Sequence, residues 1–229
     1  MNVRLITHTE NPETIIAAAA KLCYSKKDAK LLYDEMLSDE AILDRFIDRF
    51  MELGHGSPLE HATFTFEVSG VSRSCSHQLV RHRNTQFNQK SQRYVDENNF
   101  EFVEPDIIAI SPVVNDLFYA AMKNAQNSYE SIKDALMDIG YPEKVAQENA
   151  RAVLPNATST SLIMTMSLRQ IYNFLDIRLC NRAQDEIREV ATRIYDIMKT
   201  NFPKLMVRKF PMCEVNGFCP EGAMGCGRH

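Results

Sequence analysis

The sequence predicts an α+β fold, with helices packed on a small, largely antiparallel sheet. Two observations carry this. Apolar stripes at helical spacing recur along most of the chain, whereas strand-like stretches are confined to residues 62–68 and 157–166. Those two stretches also do not alternate with helices in a strand–helix–strand series, which disfavours a doubly wound parallel sheet. A length of 229 residues, with 45% hydrophobic and 24% charged residues, is enough for one domain with a sizeable core.

The elements follow in chain order. Asn11-Pro12-Glu13 predicts a helix start, with Asn as N-cap and Pro at the first helical position. Ala17 to Ala20 and Leu22 continue it. Ser38-Asp39-Glu40 starts a second helix whose stripe is Ile42, Leu43, Phe46, Ile47 and Phe50, with Gly54 as its end. Phe64, Phe66 and Val68 alternate with Thr63, Thr65 and Glu67, the pattern of a strand with one buried face. Ser72 caps a short helix toward Arg83. Ser111-Pro112 opens a long helix through Leu117, Met122, Tyr129 and Leu136, closed by Gly140, and a further helix runs from Pro142 to about Val153. The stretch 157–166 is a second strand, with Leu162, Ile163, Met164 and Met166. Ser167 then caps a helix holding Ile171, Tyr172 and Leu175. A last helix carries Ile187, Val190, Ala191, Ile194 and Ile197.

The N-terminal residues contain no apolar signal-peptide stretch, and no run of ~18 apolar residues exists. A cytoplasmic protein with reduced thiols is expected. The chain divides as a domain over 1–210 and a Cys/Gly-rich tail over 211–229. Cys213, Cys219 and Cys226 follow a C-x5-C-x6-C spacing, not the C-x2-C pairing of common zinc sites. No metal ligand is assigned. A partly ordered Gly-rich tail is the simpler reading, and a metal or disulfide role is its alternative.

The chemistry concentrates in residues 81–93, Arg81-His82-Arg83-Asn84-Thr85-Gln86-Phe87-Asn88-Gln89-Lys90-Ser91-Gln92-Arg93. No acidic residue occurs from position 68 to 95, although the chain is net −4. An anion is therefore expected here. Arg presents a planar fork of donors suited to phosphate, and the intervening amides and hydroxyls read a base or sugar by directed hydrogen bonds. A solvated surface paired with distant carboxylates is the plain alternative. A nucleic-acid-binding module is another, and the mildly acidic whole-chain balance argues against it. No G-x-G-x-x-G is present, so no Rossmann turn holds a dinucleotide.

Arg81-His82-Arg83 followed by Ser91-x-Arg93 resembles the RHRxxSxxxxSxR signature of flavin-dependent thymidylate synthases. Further segments match in order. His55-Gly56-Ser57-Pro58-Leu59-Glu60-His61 resembles the upstream HxSPxEH segment, and Arg151-Ala152-Val153-Leu154-Pro155 the later R-x-x-L-P element. The stretch 169–178, with Asn173 inside it, resembles the final flavin and nucleotide segment. Two positions depart: Gln86 stands at the first Ser of the signature, and Ser167 where Asn is frequent.

The resemblance implies binding of FAD, dUMP and methylenetetrahydrofolate, with reduction by NADPH. The product is dTMP, and the protein is a methyltransferase, a homotetramer with active sites between subunits. Gln78, Arg81, Gln89, Lys90, Ser91, Gln92, Arg93, Arg151 and Arg178 are implied for dUMP. Ser57, Arg81, His82, Arg83, Gln89, Ser167, Arg169 and Asn173 are implied for FAD. Arg178 is the implied catalytic residue, a fixed cation at the uracil edge that favours charge at C5. The folate is placed near His55. Taken singly, His82 also suits a structural hydrogen bond, Arg169 and Asn173 a solvated helix face, and Arg178 an ion pair with Asp176 or Glu186. Ser91 lacks an obvious base other than His82, which favours a phosphate ligand over a covalent nucleophile.

Overall fold

A computed structural model describes residues 1–53 and 55–228, with the side chain of Glu52 outside the description. Four strands, β1 (Asn2–His8), β2 (Thr63–Ser72), β3 (Gln86–Gln89) and β4 (Ser159–Ser167), form one antiparallel sheet in the order β1-β2-β4-β3. The helices are α1 (Pro12–Leu22), α2 (Ala29–Ser38), α3 (Glu40–Leu53), α4 (Arg73–Leu79), α5 (Asp106–Ala109), α6 (Pro112–Asp138), α7 (Glu143–Ala150), α8 (Leu168–Arg178), α9 (Asp185–Asn201) and α10 (Met212–Asn216). The α+β class and the antiparallel sheet agree with the sequence pattern.

The two central strands are the two the alternation predicts. Phe64, Phe66 and Val68 on β2 and Leu162, Met164 and Met166 on β4 are buried. On the other side, Thr65 and Thr165 join hydroxyls at 2.9 Å. Each buried Phe contributes roughly 2–3 kcal/mol by leaving water, and Phe66→Ala would cost about 3–5 kcal/mol with the cavity included.

The chain folds as two compact units. The first comprises Met1–Asn2, Val68–Arg81 and Asn88–Leu162; the second comprises Val3–Glu67, His82–Phe87 and Ile163–His229. In the second unit, α8 buries Leu168, Ile171, Tyr172, Phe174 and Leu175, and α9 buries Ile187, Val190, Ala191, Ile194 and Met198. Both sets recur every three or four residues, so one helix face is apolar. Ala62 accepts the backbone N–H of Leu168 at 2.9 Å, which fixes the start of α8. In the first unit, α6 buries only Met122, Tyr129 and Lys133 along its 27 residues. Lys133 Nζ reaches Asp96 at 3.1 Å, and Tyr129 donates its hydroxyl to the same carboxylate.

Several local expectations are corrected. Asn11 precedes α1, but its backbone is left-handed (φ 48) and its side chain makes no cap. The amide instead donates to Tyr33 Oη at 3.4 Å. Ser38 ends α2 rather than opening α3; Asp39 caps α3 by accepting from the Ile42 N–H at 3.0 Å. The expected terminator Gly54 lies outside the described residues. α2 and both edge strands lacked a sequence signal. β1 buries only Val3 and β3 is Gln-Phe-Asn-Gln, so neither shows a clean alternation.

Candidate active site

Strand β4 runs directly into α8, and Ser167 makes the junction: its Oγ accepts the Gln170 N–H at 3.3 Å. Because the buried face of α8 is apolar, Arg169 and Asn173 emerge exposed and Arg178 sits half-buried in the last turn. Arg178 Nε donates to His82 Nε2 at 3.0 Å. The His82 ring lies edge-on to Phe174, centroids 4.9 Å apart. Burial, and then the charge of Arg178, lower the imidazole to about 4. His82 is therefore neutral at pH 7, and because Nε2 is the acceptor, its proton sits on Nδ1. Asp176, an alternative partner for Arg178, is bonded instead to Arg208 Nη1 at 2.9 Å.

Arg169 Nη1 donates to Glu60 Oε1 at 2.6 Å. A Cβ on Gly56 would lie 3.3 Å from Arg169 Nε, so the missing side chain lets the guanidinium lie close to the backbone. Ser57 opens the 3₁₀ turn Ser57–His61 directly after this glycine. His55 and Ser57 also line a cavity of about 370 Å³ with Tyr24, Phe46, Phe50 and Pro58. The Phe50 and His55 rings stack there at 6.4 Å. In the same unit, Arg83 is exposed, and Thr85 Oγ1 is buried without a hydrogen-bond partner among the described residues.

In the first unit, Ser72 caps α4 through the Cys75 N–H at 3.0 Å, and the helix stops at Leu79, short of the cation segment. Gln78 is half-buried on α4. The Gln89 amide donates to Ser76 Oγ at 2.9 Å and Thr160 Oγ1 at 3.2 Å. The Lys90 backbone N–H bonds Ser161 O at 2.9 Å, which seats the end of β3 against β4. Ser91 Oγ accepts the Arg93 N–H at 3.2 Å, and Gln92 is half-buried between them.

The acid-free window does not leave all its cations unpaired. Arg93 Nη2 donates to Glu148 Oε2 at 3.0 Å, and Lys90 Nζ lies 3.9 Å from Glu97 Oε1. Both carboxylates come from beyond the window. Arg151 Nε donates to the backbone carbonyl of the same Glu148 at 3.2 Å, so one residue sets two cations. Glu97 is buried; burial pushes its carboxyl up, opposed by Lys90 and Arg73. Arg81 and Arg83 are exposed, and among the described residues neither pairs with a carboxylate.

Glu97, Glu148 and Arg73 contact candidate residues without being singled out by the sequence pattern, whereas Glu60, the partner of Arg169, lies in the His55–His61 segment. Of the three, Glu148 left a local signal, standing three residues before Arg151 where α7 ends. Among the described residues, no three His, Cys, Asp or Glu side chains are placed to hold a metal ion, and no helix is long and apolar enough to cross a membrane.

Comparison with known proteins adds an independent observation. The family model described as thymidylate synthase complementing protein matches residues 4–204. A protein of Clostridium tetani named flavin-dependent thymidylate synthase is 42% identical to the chain, covering 100% of it and 94% of the relative. A protein of the same name from Geobacter sulfurreducens is 40% identical, with 100% and 94% covered. One from Pyrococcus furiosus is 36% identical, with 96% and 90% covered.

Proposed function

The chain belongs to the flavin-dependent thymidylate synthase family, and from that premise we propose how its side chains divide the work. The reaction is the conversion of dUMP to dTMP, with FAD as cofactor and methylenetetrahydrofolate as carbon donor. In enzyme-class terms it is a methyltransferase, and NADPH supplies the reducing equivalents. The alternative of a nucleic-acid-binding module on residues 81–93 finds no support in relatives that match the whole chain.

The observation that carries the reading is the hydrogen bond from Arg178 to neutral His82. It brings the Arg-His-Arg signature and the last motif of the family together at one guanidinium. A hydrogen bond at Nε fixes the orientation of the planar guanidinium, which lowers the cost of ordering it when a ligand binds. In this reading, Arg178 faces the uracil edge and stabilises the negative charge that makes C5 a nucleophile. Because His82 is neutral, it orients Arg178 without adding a second positive charge. Arg81 and Arg93 take the dUMP phosphate, with Lys90, Ser91 and Gln92 beside it, and Arg151 follows Arg93 through Glu148. Gln78 and Gln89 fix the nucleotide by amide bonds.

The residues present fit a flavin dinucleotide. Among the described residues, Arg83 is exposed with no carboxylate partner and Thr85 Oγ1 is buried with no hydrogen-bond partner, and Gly56 leaves room for Arg169. Arg81, Arg83 and Arg169 would meet the diphosphate, with Ser57, His82, Gln89, Ser167 and Asn173 around the rest. Bound FAD, once reduced by NADPH, would supply the hydride that converts the transferred carbon to a methyl group. The aromatic cavity at His55, Phe46 and Phe50 suits the planar ring of the folate.

We further assign the chemistry to residues 1–210, with 211–229 an appended tail, and the protein to the cytoplasm as a homotetramer. The apolar exposure on α5, α6 and the residue after α5 supports the assembly: Ile107, Ile110, Val113 and Leu117 are 74%, 79%, 69% and 67% exposed. The functional test is anaerobic: flavin-loaded protein with dUMP, methylenetetrahydrofolate and NADPH yields dTMP, and binds an oligonucleotide weakly. Absence of dTMP with full flavin occupancy would refute the assignment, and light scattering showing a fully active monomer would refute the assembly.

A further inference from the structure

Four of the six cysteines, Cys180, Cys213, Cys219 and Cys226, line one cavity of about 390 Å³ in the second unit, and all are free thiols. The tail is tied to the α8–α9 connection on two sides. Arg182 Nη1 bonds Glu221 at 2.9 Å, and Arg228 Nη2 bonds Asn181 Oδ1 at 2.9 Å. These links anchor the tail at Glu221, between Cys219 and Cys226, and at Arg228, two residues past Cys226.

Within that segment the geometry favours one pair. A Cβ placed on Gly225 would lie 3.0 Å from Cys219 Sγ, so this thiol already rests against the residue preceding Cys226. Gly222 (φ +54) and Gly227 (φ +80) flank the approach in conformations that side chains rarely adopt. Glycines on either side of Cys226 leave the backbone there freer to adjust toward disulfide geometry. Exposure also separates the thiols. Cys226 is exposed and Cys219 half-buried, whereas Cys213 is only 7% exposed.

We propose that Cys219 and Cys226 form a dithiol modification site, closed to a reversible intramolecular disulfide by a hydroperoxide. The exposed Cys226 thiolate attacks the peroxide oxygen; an S–O bond forms, the O–O bond breaks, and the departing alkoxide or hydroxide takes a proton. The Cys219 thiolate then attacks that sulfur; S–S forms, S–O breaks, and the hydroxide leaves as water. Two thiols lose two electrons and two protons, and the peroxide is reduced to water and an alcohol, or to two waters. A dithiol reductant reverses the step by exchange. The site shares its cavity wall with Arg178 and Arg182, and its chemistry does not depend on the role assigned to Arg178.

The test uses the full-length protein and hydrogen peroxide, read by intact mass and by mapping of cysteine-containing peptides. The expected result is loss of two hydrogens, a linked Cys219–Cys226 peptide, and full recovery with a dithiol reductant. Cys226→Ser and Cys219→Ser should each abolish the linkage and accumulate oxygen adducts instead, while Cys23→Ser, at an exposed thiol elsewhere, should retain it. Oxygen adducts alone in the unaltered protein, a disulfide mapping to another pair, or retention of the two-hydrogen loss in Cys226→Ser would overturn the proposal.

Discussion

Arg178 Nε and His82 Nε2 lie 3.0 Å apart across 96 positions of sequence, and the imidazole is the acceptor. The bond can exist only while His82 is unprotonated at Nε2. Burial and the adjacent cation together hold it in that state down to about pH 4.

This gives a pH signature. The unfolded chain takes up a proton on His82 near pH 6.5, while the folded chain does so only near 4. Between those values the unfolded state binds more protons, so stability falls as pH falls through the window and levels off below it. Each pH unit between the two values is worth ~1.36 kcal/mol, and because His82 is only partly buried, solvent screening leaves a loss of about 1–2 kcal/mol. His82→Asn, which does not titrate, should show a flatter stability profile between pH 6.5 and 4 in chemical denaturation. Parallel profiles for the two proteins would mean that His82 is not held neutral.

Arg169 is predicted to matter for the flavin and little for the fold. Its pair with Glu60 is exposed on both sides, and such pairs contribute about 0–1 kcal/mol. Arg169→Ala should weaken flavin retention about tenfold or more, consistent with losing a charge-assisted contact, with the flavin-free unfolding midpoint nearly unchanged. Gly56→Ala should show a milder version, since its Cβ would press on Arg169 Nε at 3.3 Å. Equilibrium dialysis of FAD and denaturant titration separate the two effects. A large stability loss with normal flavin affinity would assign Arg169 to the scaffold.

Arg208 behaves oppositely. It bonds Asp176, whose side chain is 7% exposed, and it lies 4.9 Å from the centre of the Phe210 ring. Burial pushes the Asp176 carboxyl up, and Arg208 opposes this. Arg208→Ala would leave a buried carboxylate uncompensated, at a cost of about 3 kcal/mol, or roughly 6–12 °C in melting temperature for a chain of this size. With its cation gone, Asp176 takes up a proton more readily in the folded state, so the deficit should shrink as pH falls. Arg208→Ala/Asp176→Asn should recover part of the loss at neutral pH. Thermal melts at two pH values check both statements.

Much of this architecture was legible in the sequence because burial writes a period. β2 and α9 have one apolar face each, and Ser72 and Ser167 cap α4 and α8 as their positions suggest. β1, β3 and α2 were not legible, since an edge strand buries few side chains and α2 buries only Leu32 and Met36. In the site, the order of the motifs was visible but their pairing was not. Nothing local says that Arg178 meets His82, or that Asp176 is taken by Arg208. The absence of acids from 68 to 95 was real in sequence and partly misleading in space, because Glu148 returns to Arg93 from 55 residues away.

In the proposed reaction, Arg178, held by His82, is the cation that activates the uracil. Single-turnover conversion of dUMP to dTMP by flavin-loaded Arg178→Ala, compared with the unaltered protein, tests it most directly, with FAD and dUMP binding measured on the same samples. The expected result is a fall of about 100- to 1000-fold, the scale of losing one fixed electrostatic donor, while both ligands still bind. Near-normal conversion by Arg178→Ala with both ligands bound would contradict it.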